Sequence, residues 1–534
     1  MDVPEAVARL TPLADPAGAA LMRRLREHED APPWSHALGD RLHPEDLPAL
    51  EAFRRTLGPV LDDPAGLPLA RWRDTVPWVR TRAPEGVAWA DIPLQRRENI
   101  AFDLVDLVPL DADLARLFHY ETSGTTGRPL SIPSHATATA MNHLLMEEAL
   151  ARNGVHLTPG PTVLVAHVCA QVRTWTFPAI LSYWGNAGLV KVNLQPAEWA
   201  PERARRFLAD IDPQLVTGDP VSFAELLAWD IPLRPRALLS GAATLGAALA
   251  RTLSERYGCP VLDVYSTTEI GPIAATGGSA GGLRLLCPDL YVEIVGPDGR
   301  PLPDGERGEI VVSGGRNPYL PLLRYATGDH ARKHGEHLFD LQARLPVSWR
   351  ARDGAVITPI DLSRALHPHT FSAFAFDGAV LRMRPVEGVP LDTAALRAGF
   401  EAILGRAVEV RIDAELGREG KAAEWGGVGP GPSDVVPPQV HHVPRPLGHA
   451  VVQPGRADRE RGALAADLDA AGRAGGELGH RQEVTEEATG ERAADDLGAP
   501  VGDLDDDPRA QPGERQDDQH DEDDEPDDLH GPLS

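Results

Sequence analysis

The sequence predicts an α/β protein with a large, mainly parallel sheet layer. Three observations lead there. Apolar runs of strand length alternate with helical patterns, and several of those runs end in glycine. Hydrophobic residues make up 42% of the 534 positions, enough for a large core. Alternation of this kind is the pattern of helices layered on a parallel sheet. A chain of this length is expected to hold two or three folded units.

Taken in order, residues 1–100 alternate helical patterns with proline-rich breaks. Ala6, Val7 and Leu10, then Leu21 and Leu25, have helical spacing, and Pro44-Glu45-Asp46-Leu47 reads as a helix start. Trp34, Trp72, Trp78 and Trp89 fall in this region and are expected to cover the core of the larger unit. A helix is predicted over 136–152, with Leu144, Leu145, Ala149 and Leu150 on its apolar face. The run 162–166 reads as a buried parallel strand. Further strands follow at 189–192, at 215–218 and before Ser240-Gly241-Ala242-Ala243, with a helix over 201–211. Ligands in such sheets bind beyond the carboxyl ends of the strands, where these glycine turns lie.

Two stretches carry chemistry. In Thr122-Ser123-Gly124-Thr125-Thr126-Gly127-Arg128-Pro129, two glycines stand among hydroxyls and an arginine. Such a loop can turn backbone N–H groups and hydroxyls toward an anionic oxygen. It is not a Walker loop, since the spacing and the lysine are absent. The second stretch, 261–269, is a strand that delivers Tyr265, Ser266, Thr267, Thr268 and Glu269 into the loop after it. The alternating segments 291–295 and 305–314, joined through Pro297-Asp298-Gly299, read as a structural hairpin. Arg324-Tyr325-Ala326-Thr327-Gly328-Asp329 follows.

Composition narrows the function classes. The net charge of −27 argues against nucleic acid or an anionic membrane as partner. Three scattered cysteines give neither a disulfide framework nor a closed zinc site. The N-terminal stretch is acidic where a signal peptide is basic, and no run approaches ~18 apolar residues. A cytoplasmic protein is expected, and its oligomeric state is not legible. His119, His135 and His167 are expected in structural or surface roles.

The motif TSGTTGRP at 122–129 resembles the phosphate-binding signature of the adenylate-forming enzymes: acyl-CoA synthetases, peptide-synthetase adenylation domains and luciferases. The lead-in PLQRRENIAFDL at 93–104 is similar to that of the phenylacetate–CoA ligases. The order SGAA, then YSTTE, then RYATGD agrees with the family's. The resemblance implies a large domain over 1–343, with 1–100 as its helical lead-in. A small α+β domain would follow over 344–425. It also implies a site in which 122–127 (Thr122, Ser123, Gly124, Thr125, Thr126, Gly127) holds phosphates. Ala242 and Ala243 would lie along an adenine, Tyr265 against its ring, and Asp329 on the ribose hydroxyls. Thr268 would contact the α-phosphate, Glu269 would hold Mg²⁺, and Arg344 would stand at the hinge. There the family's acid is replaced by Pro346 or Val347, and proline fixes φ. Lys421 would align the carboxylate being activated.

The implied reaction uses ATP, Mg²⁺ and CoA to turn a carboxylic acid into a thioester through an acyl-adenylate. An aryl or arylacetic acid is the family's suggestion, with Phe177, Tyr183 and Trp184 as pocket residues. Two alternatives stand beside it: transfer of the acyl group to a carrier protein or amine, and an ATP-binding homologue without the second half-reaction. After Trp425 the composition changes sharply. Residues 426–534 contain no Lys, Ile, Phe, Tyr, Trp, Met, Cys or Asn. This acidic segment has too little apolar surface to offset the entropy of ordering and reads as disordered. An out-of-frame reading of GC-rich coding sequence would produce the same change.

Overall fold

The structure, a computed structural model, describes residues 9–121, 130–172, 174–277, 281–342, 348–357, 359–418 and 435–436. The 122–129 loop, Arg344 with the hinge, Lys421 and almost all of the acidic segment therefore lie outside the described residues.

Strands β1 (Phe118–Glu121) and β2 (Ser131–Ser134) pair antiparallel, Glu121 opposite Ser131, and flank the glycine-rich stretch. The strands that follow are β3 (Val163–Cys169), β4 (Phe177–Leu181), β5 (Ala187–Asn193), β6 (Leu215–Gly218), β7 (Ala237–Ser240) and β8 (Val261–Thr267). After them come β9 (Gly271–Thr276), β10 (Leu283–Leu285), β11 (Leu290–Val295), β12 (Arg307–Gly314), β13 (Leu322–His334) and β14 (His337–Gln342). From β3 to β14 they form one twelve-stranded sheet in the order β11-β12-β13-β14-β10-β9-β8-β7-β6-β3-β5-β4. The predicted parallel layer is β5-β3-β6-β7-β8. The antiparallel meander from β9 onward continues the sheet on the other side of β8.

Period-two alternation sorts the parallel strands between two cores. Val165, Leu189, Leu215, Leu239 and Leu262 face one side, where they meet Leu144, Leu145, Ala149 and Leu150 of the helix Ala136–Arg152. Ala166, Val190, Val192, Val216 and Leu238 face the other. That side is covered by Pro201–Ile211, Pro220–Ala228 and Ala247–Tyr257. Pro201–Ile211 shows why: proline opens it, and Ala204, Phe207, Leu208 and Ile211 recur at helical spacing on its buried face. Trp72 and Trp78 are buried in the first core, as expected of core cover, and Trp34 and Trp89 pack at the edges of the two cores.

A separate core is built from Trp349, Leu362, Phe374, Phe376, Leu381, Met383, Leu396 and Phe400. Its elements are two small sheets and the helices Pro359–Leu366 and Thr393–Leu404. In one sheet β15 (Ser348–Arg350) is flanked by β16 (Val356–Ile357) and by Val435–Val436. The other contains β17 (Phe371–Phe376), β18 (Val380–Pro385) and β19 (Glu409–Ile412). The two bodies meet at Glu225 of Pro220–Ala228, whose carboxylate pairs with Arg384 and accepts from Arg418 Nη2 at 2.6 Å.

Arg324 shows how one side chain fixes the meander. It is buried with a φ of +48°. Its Nε donates to Glu293 Oε1 at 2.9 Å, Nη1 to the Ile92 carbonyl at 2.7 Å and Nη2 to the Gly299 carbonyl at 2.7 Å. Strand β13 is thereby tied to β11 and to the lead-in segment. Glu293→Leu leaves this guanidinium buried without its counter-charge, so we expect a loss of about 3–5 kcal/mol in denaturant unfolding. The double variant Glu293→Leu/Arg324→Met removes both charges and should recover most of that loss.

Candidate active site

The turn after β7 and the end of β8 lie side by side at the carboxyl edge of the parallel layer. Gly241 N–H bonds the Gly218 carbonyl at 3.0 Å, and Ala242 holds a φ of +68°. A left-handed alanine stores about 1–2 kcal/mol of backbone strain, and this one lines a cavity. The register of β8 against β9 shifts between Tyr265 and Ser266. Such an irregularity re-aims the side chains that follow.

Tyr265 is buried, and its hydroxyl donates to Asp329 Oδ2 at 2.8 Å. Thr327 Oγ1 in turn receives the Asp329 backbone N–H at 3.1 Å. Burial pushes the Tyr265 phenol well above its ordinary range, and the Asp329 charge adds to the effect. Glu269 is also buried: its Oε1 accepts from the Tyr325 hydroxyl at 3.2 Å and lies 3.4 Å from Arg97 Nη1. The 261–269 and 324–329 stretches, sixty residues apart in sequence, thus meet through hydrogen bonds. The Thr267 hydroxyl is buried without a partner in the structure.

Beside this cluster a cavity of about 180 Å³ runs under the helix Ala136–Arg152 and over the parallel strands. Its walls include Met146, Leu150, Leu164, Leu189, Leu215, Leu239 and Val264, and its polar lining includes Gly241, Ser266 and Thr268 together with Ala242. Gly271 lets the helix approach: a side chain there would collide with the Asn142 amide, and the φ is +81°. Of the three aromatic residues predicted to line a pocket, Trp184 does, its Nε1 donating to Glu147 at 3.2 Å. The cavity wall does not include the other two: Phe177 is buried in the core, and the Tyr183 hydroxyl donates to Glu51. Phe177 shares the face of Lys191 but stands on the edge strand β4, and Tyr183 lies in the turn after that strand.

The cavity also contains residues that the sequence did not single out. His143 and Lys191 line it, as does His167, which was expected in a structural role. Helical spacing could have placed His143 near Leu144 and Leu145, yet no motif marks it. Burial depresses His143 to about 4. His167 is depressed to about 3, by burial first and then by the charge of Lys191, and its Nδ1 lies 2.8 Å from the Thr217 hydroxyl. The helix begins at Ala136 after β2, as predicted, and His135 caps it by accepting the Thr137 N–H. Among the described residues no helix is long and apolar enough to cross a membrane.

Residues 80–317 match the AMP-binding enzyme family. That region belongs to the adenylate-forming superfamily, as the order of its motifs implied. Phenylacetate–coenzyme A ligase of Thermus thermophilus is 27% identical over 246 residues, covering 44% of this chain and 53% of that protein. The Escherichia coli K12 enzyme of the same name is 25% identical over 249 residues, covering 44% and 54%. The chain spans about half the length of these curated relatives. A crystal structure of 2-hydroxyisobutyryl-CoA ligase in the postadenylation state, in complex with R3-HIB-AMP, shares the fold. It aligns with a TM-score of 0.50 at 17% identity, over 71% of this chain and 89% of that one.

The two depressed histidines set an acid limit. Below pH 6.5 the unfolded chain takes up protons that the folded state refuses, so stability is full above that value and declines as pH falls toward about 4. We expect melting temperature to drop over that interval. His143→Gln should flatten the slope, and an unchanged slope would show that His143 does not titrate this way.

Proposed function

We propose that the chain activates a carboxylic acid with ATP, forming an acyl-adenylate and pyrophosphate, and then passes the acyl group to CoA as a thioester. The observation that carries this reading is the Tyr265–Asp329–Thr327 cluster with Glu269, next in sequence to Ser266, Thr267 and Thr268, which line a largely apolar cavity. In it Asp329 offers carboxylate oxygens to a ribose diol, which suits an ionised acceptor. Ala242 and Ala243 follow the strand end where an adenine would lie, with the Tyr265 ring buried behind. The similarity to phenylacetate–CoA ligases supports an aryl or arylacetic acid as the substrate class, and the cavity's apolar wall agrees with it. A carrier protein in place of CoA is the second acceptor to test.

Glu269 offers one hard carboxylate oxygen to a metal, while Thr268 would contact the α-phosphate. Such a sparse donor set fits Mg²⁺, which keeps waters and phosphate oxygens in its shell. Bound there, the ion would draw negative charge off the phosphates. The chain's own part is positioning. Glu269 is held by Arg97 and Tyr325, and Asp329 is oriented by Tyr265. The stretch 122–127 would hold the phosphates, while Arg344 at the hinge and Lys421 on the reacting carboxylate complete the assignment.

Acid-dependent ATP–pyrophosphate exchange tests the first half, and CoA-dependent AMP release the second. Glu269→Gln keeps the shape and removes the charge, and should slow exchange by about 10²-fold. Exchange at the wild-type rate would remove Glu269 from the site. Asp329→Ala should weaken ATP binding by about 1.5–3 kcal/mol, the range for hydrogen bonds to a charged group, as read by calorimetry.

A further inference from the structure

One charge in the cavity is left unexplained by adenylation. Lys191 lies on β5, only 3% exposed, and lines the cavity. The register sets it beside His167, and His167 beside Thr217, so the three make a polar row across β5, β3 and β6. The next row on the same face, Leu189, Val165 and Leu215, is apolar. The Lys191 side chain forms no ion pair and no hydrogen bond among the described residues. The two carboxylates in the cavity wall are already engaged. Glu147 pairs with Arg54 and accepts from Trp184, and Asp219 caps Pro220–Ala228 through the Ser222 N–H at 2.7 Å.

A buried ammonium without a counter-charge costs several kcal/mol, whereas a methionine of similar length would pack there at no such penalty. His143 Nε2 on the covering helix, which also lines the cavity, is buried and has no hydrogen-bond partner in the structure. In the strand order Lys191 stands away from Ala242 and Thr268. Three strand spacings of about 4.8 Å separate β7, which leads to Ala242, from β5, or roughly 14 Å of backbone. A dry apolar cavity of roughly 150 Å³ is known to hold one benzene. The present one, at about 180 Å³, therefore takes a single ring with a small substituent.

We propose that Lys191 is a specificity-determining residue that binds an acceptor group, a hydroxyl or carboxylate, at the far end of an aryl acid whose reacting carboxyl lies by Ala242 and Thr268. The apolar wall holds the ring, and Lys191 selects against unsubstituted rings. This assignment rests on reading the cavity as the acyl site.

The test compares kcat/KM for acid-dependent pyrophosphate release with phenylacetate, 4-hydroxyphenylacetate and 4-carboxyphenylacetate, using the full chain. Wild type should favour at least one substituted acid by about tenfold or more over phenylacetate, since a buried donor left unpaired penalises the analogue lacking its acceptor. Lys191→Met should erase that ratio, and Lys191→Arg should restore part of it. Direct calorimetric binding of the three acids separates the two levels of the argument. Substituted acids that bind wild type but not Lys191→Met, with no pyrophosphate released, would support Lys191 and overturn adenylation. Pyrophosphate release with the same acid ratios in wild type and Lys191→Met would overturn the Lys191 assignment alone. Unliganded Lys191→Met should melt no lower than wild type; a marked drop would make Lys191 a structural residue and end the proposal.

Discussion

The constraint on which the architecture depends is the double pairing of β8. Its first half runs parallel to β7, with Leu262 opposite Leu239, and its second half runs antiparallel to β9, with Tyr265 opposite Ala274. One strand therefore ends the parallel layer and begins the meander. Its pairing shifts register after Tyr265 and ends with Thr267 opposite Gly271, so Thr268 is the first residue past the ladder. Ser266, Thr267 and Thr268 line the cavity from this junction, beyond the carboxyl ends of the parallel strands. Long-range contacts complete it: Asp329 comes from β13, and Arg97 from the helix Arg97–Phe102 in the lead-in.

The buried charges divide into two kinds. Arg324 with Glu293, and Arg316 with Asp289, are paired and also saturated by carbonyls. Burial opposes the charge of Arg316, yet Asp289 holds its guanidinium above the ordinary range. Such clusters fix where strands lie, because each guanidinium reaches several segments at once. Lys191 is of the other kind, a charge whose protein surroundings do not answer it. The difference between them is chemical, since both kinds are buried to a similar degree.

Much of this was legible in the sequence, and the parts that were not share a cause. The helix Ala136–Arg152 and the strands β3, β5, β6 and β7 follow from local periodicity, which needs no knowledge of neighbours. Tyr265, Glu269 and Asp329 stood out because their motifs are contiguous. Lys191 did not, since it sits within an apolar run, and its meaning comes from register with β3, a pairing absent from local pattern. Phe177 shows the converse: an aromatic on the face of Lys191, one strand further out on β4, fills the core and does not line the cavity. Arg324 heads a motif of interest, but its guanidinium is spent on the fold.

The helix Pro220–Ala228 touches both halves of the molecule. Its capping residue Asp219 lines the cavity, and Glu225, six residues further on, grips Arg384 and Arg418 of the second body. Over that interval an α-helix spans about 9 Å and behaves as a stiff rod. Its two ends cannot move independently. A displacement of the cavity wall at Asp219 is delivered to the ion cluster as a translation of Glu225, and the cluster's geometry in turn limits how far that wall can yield.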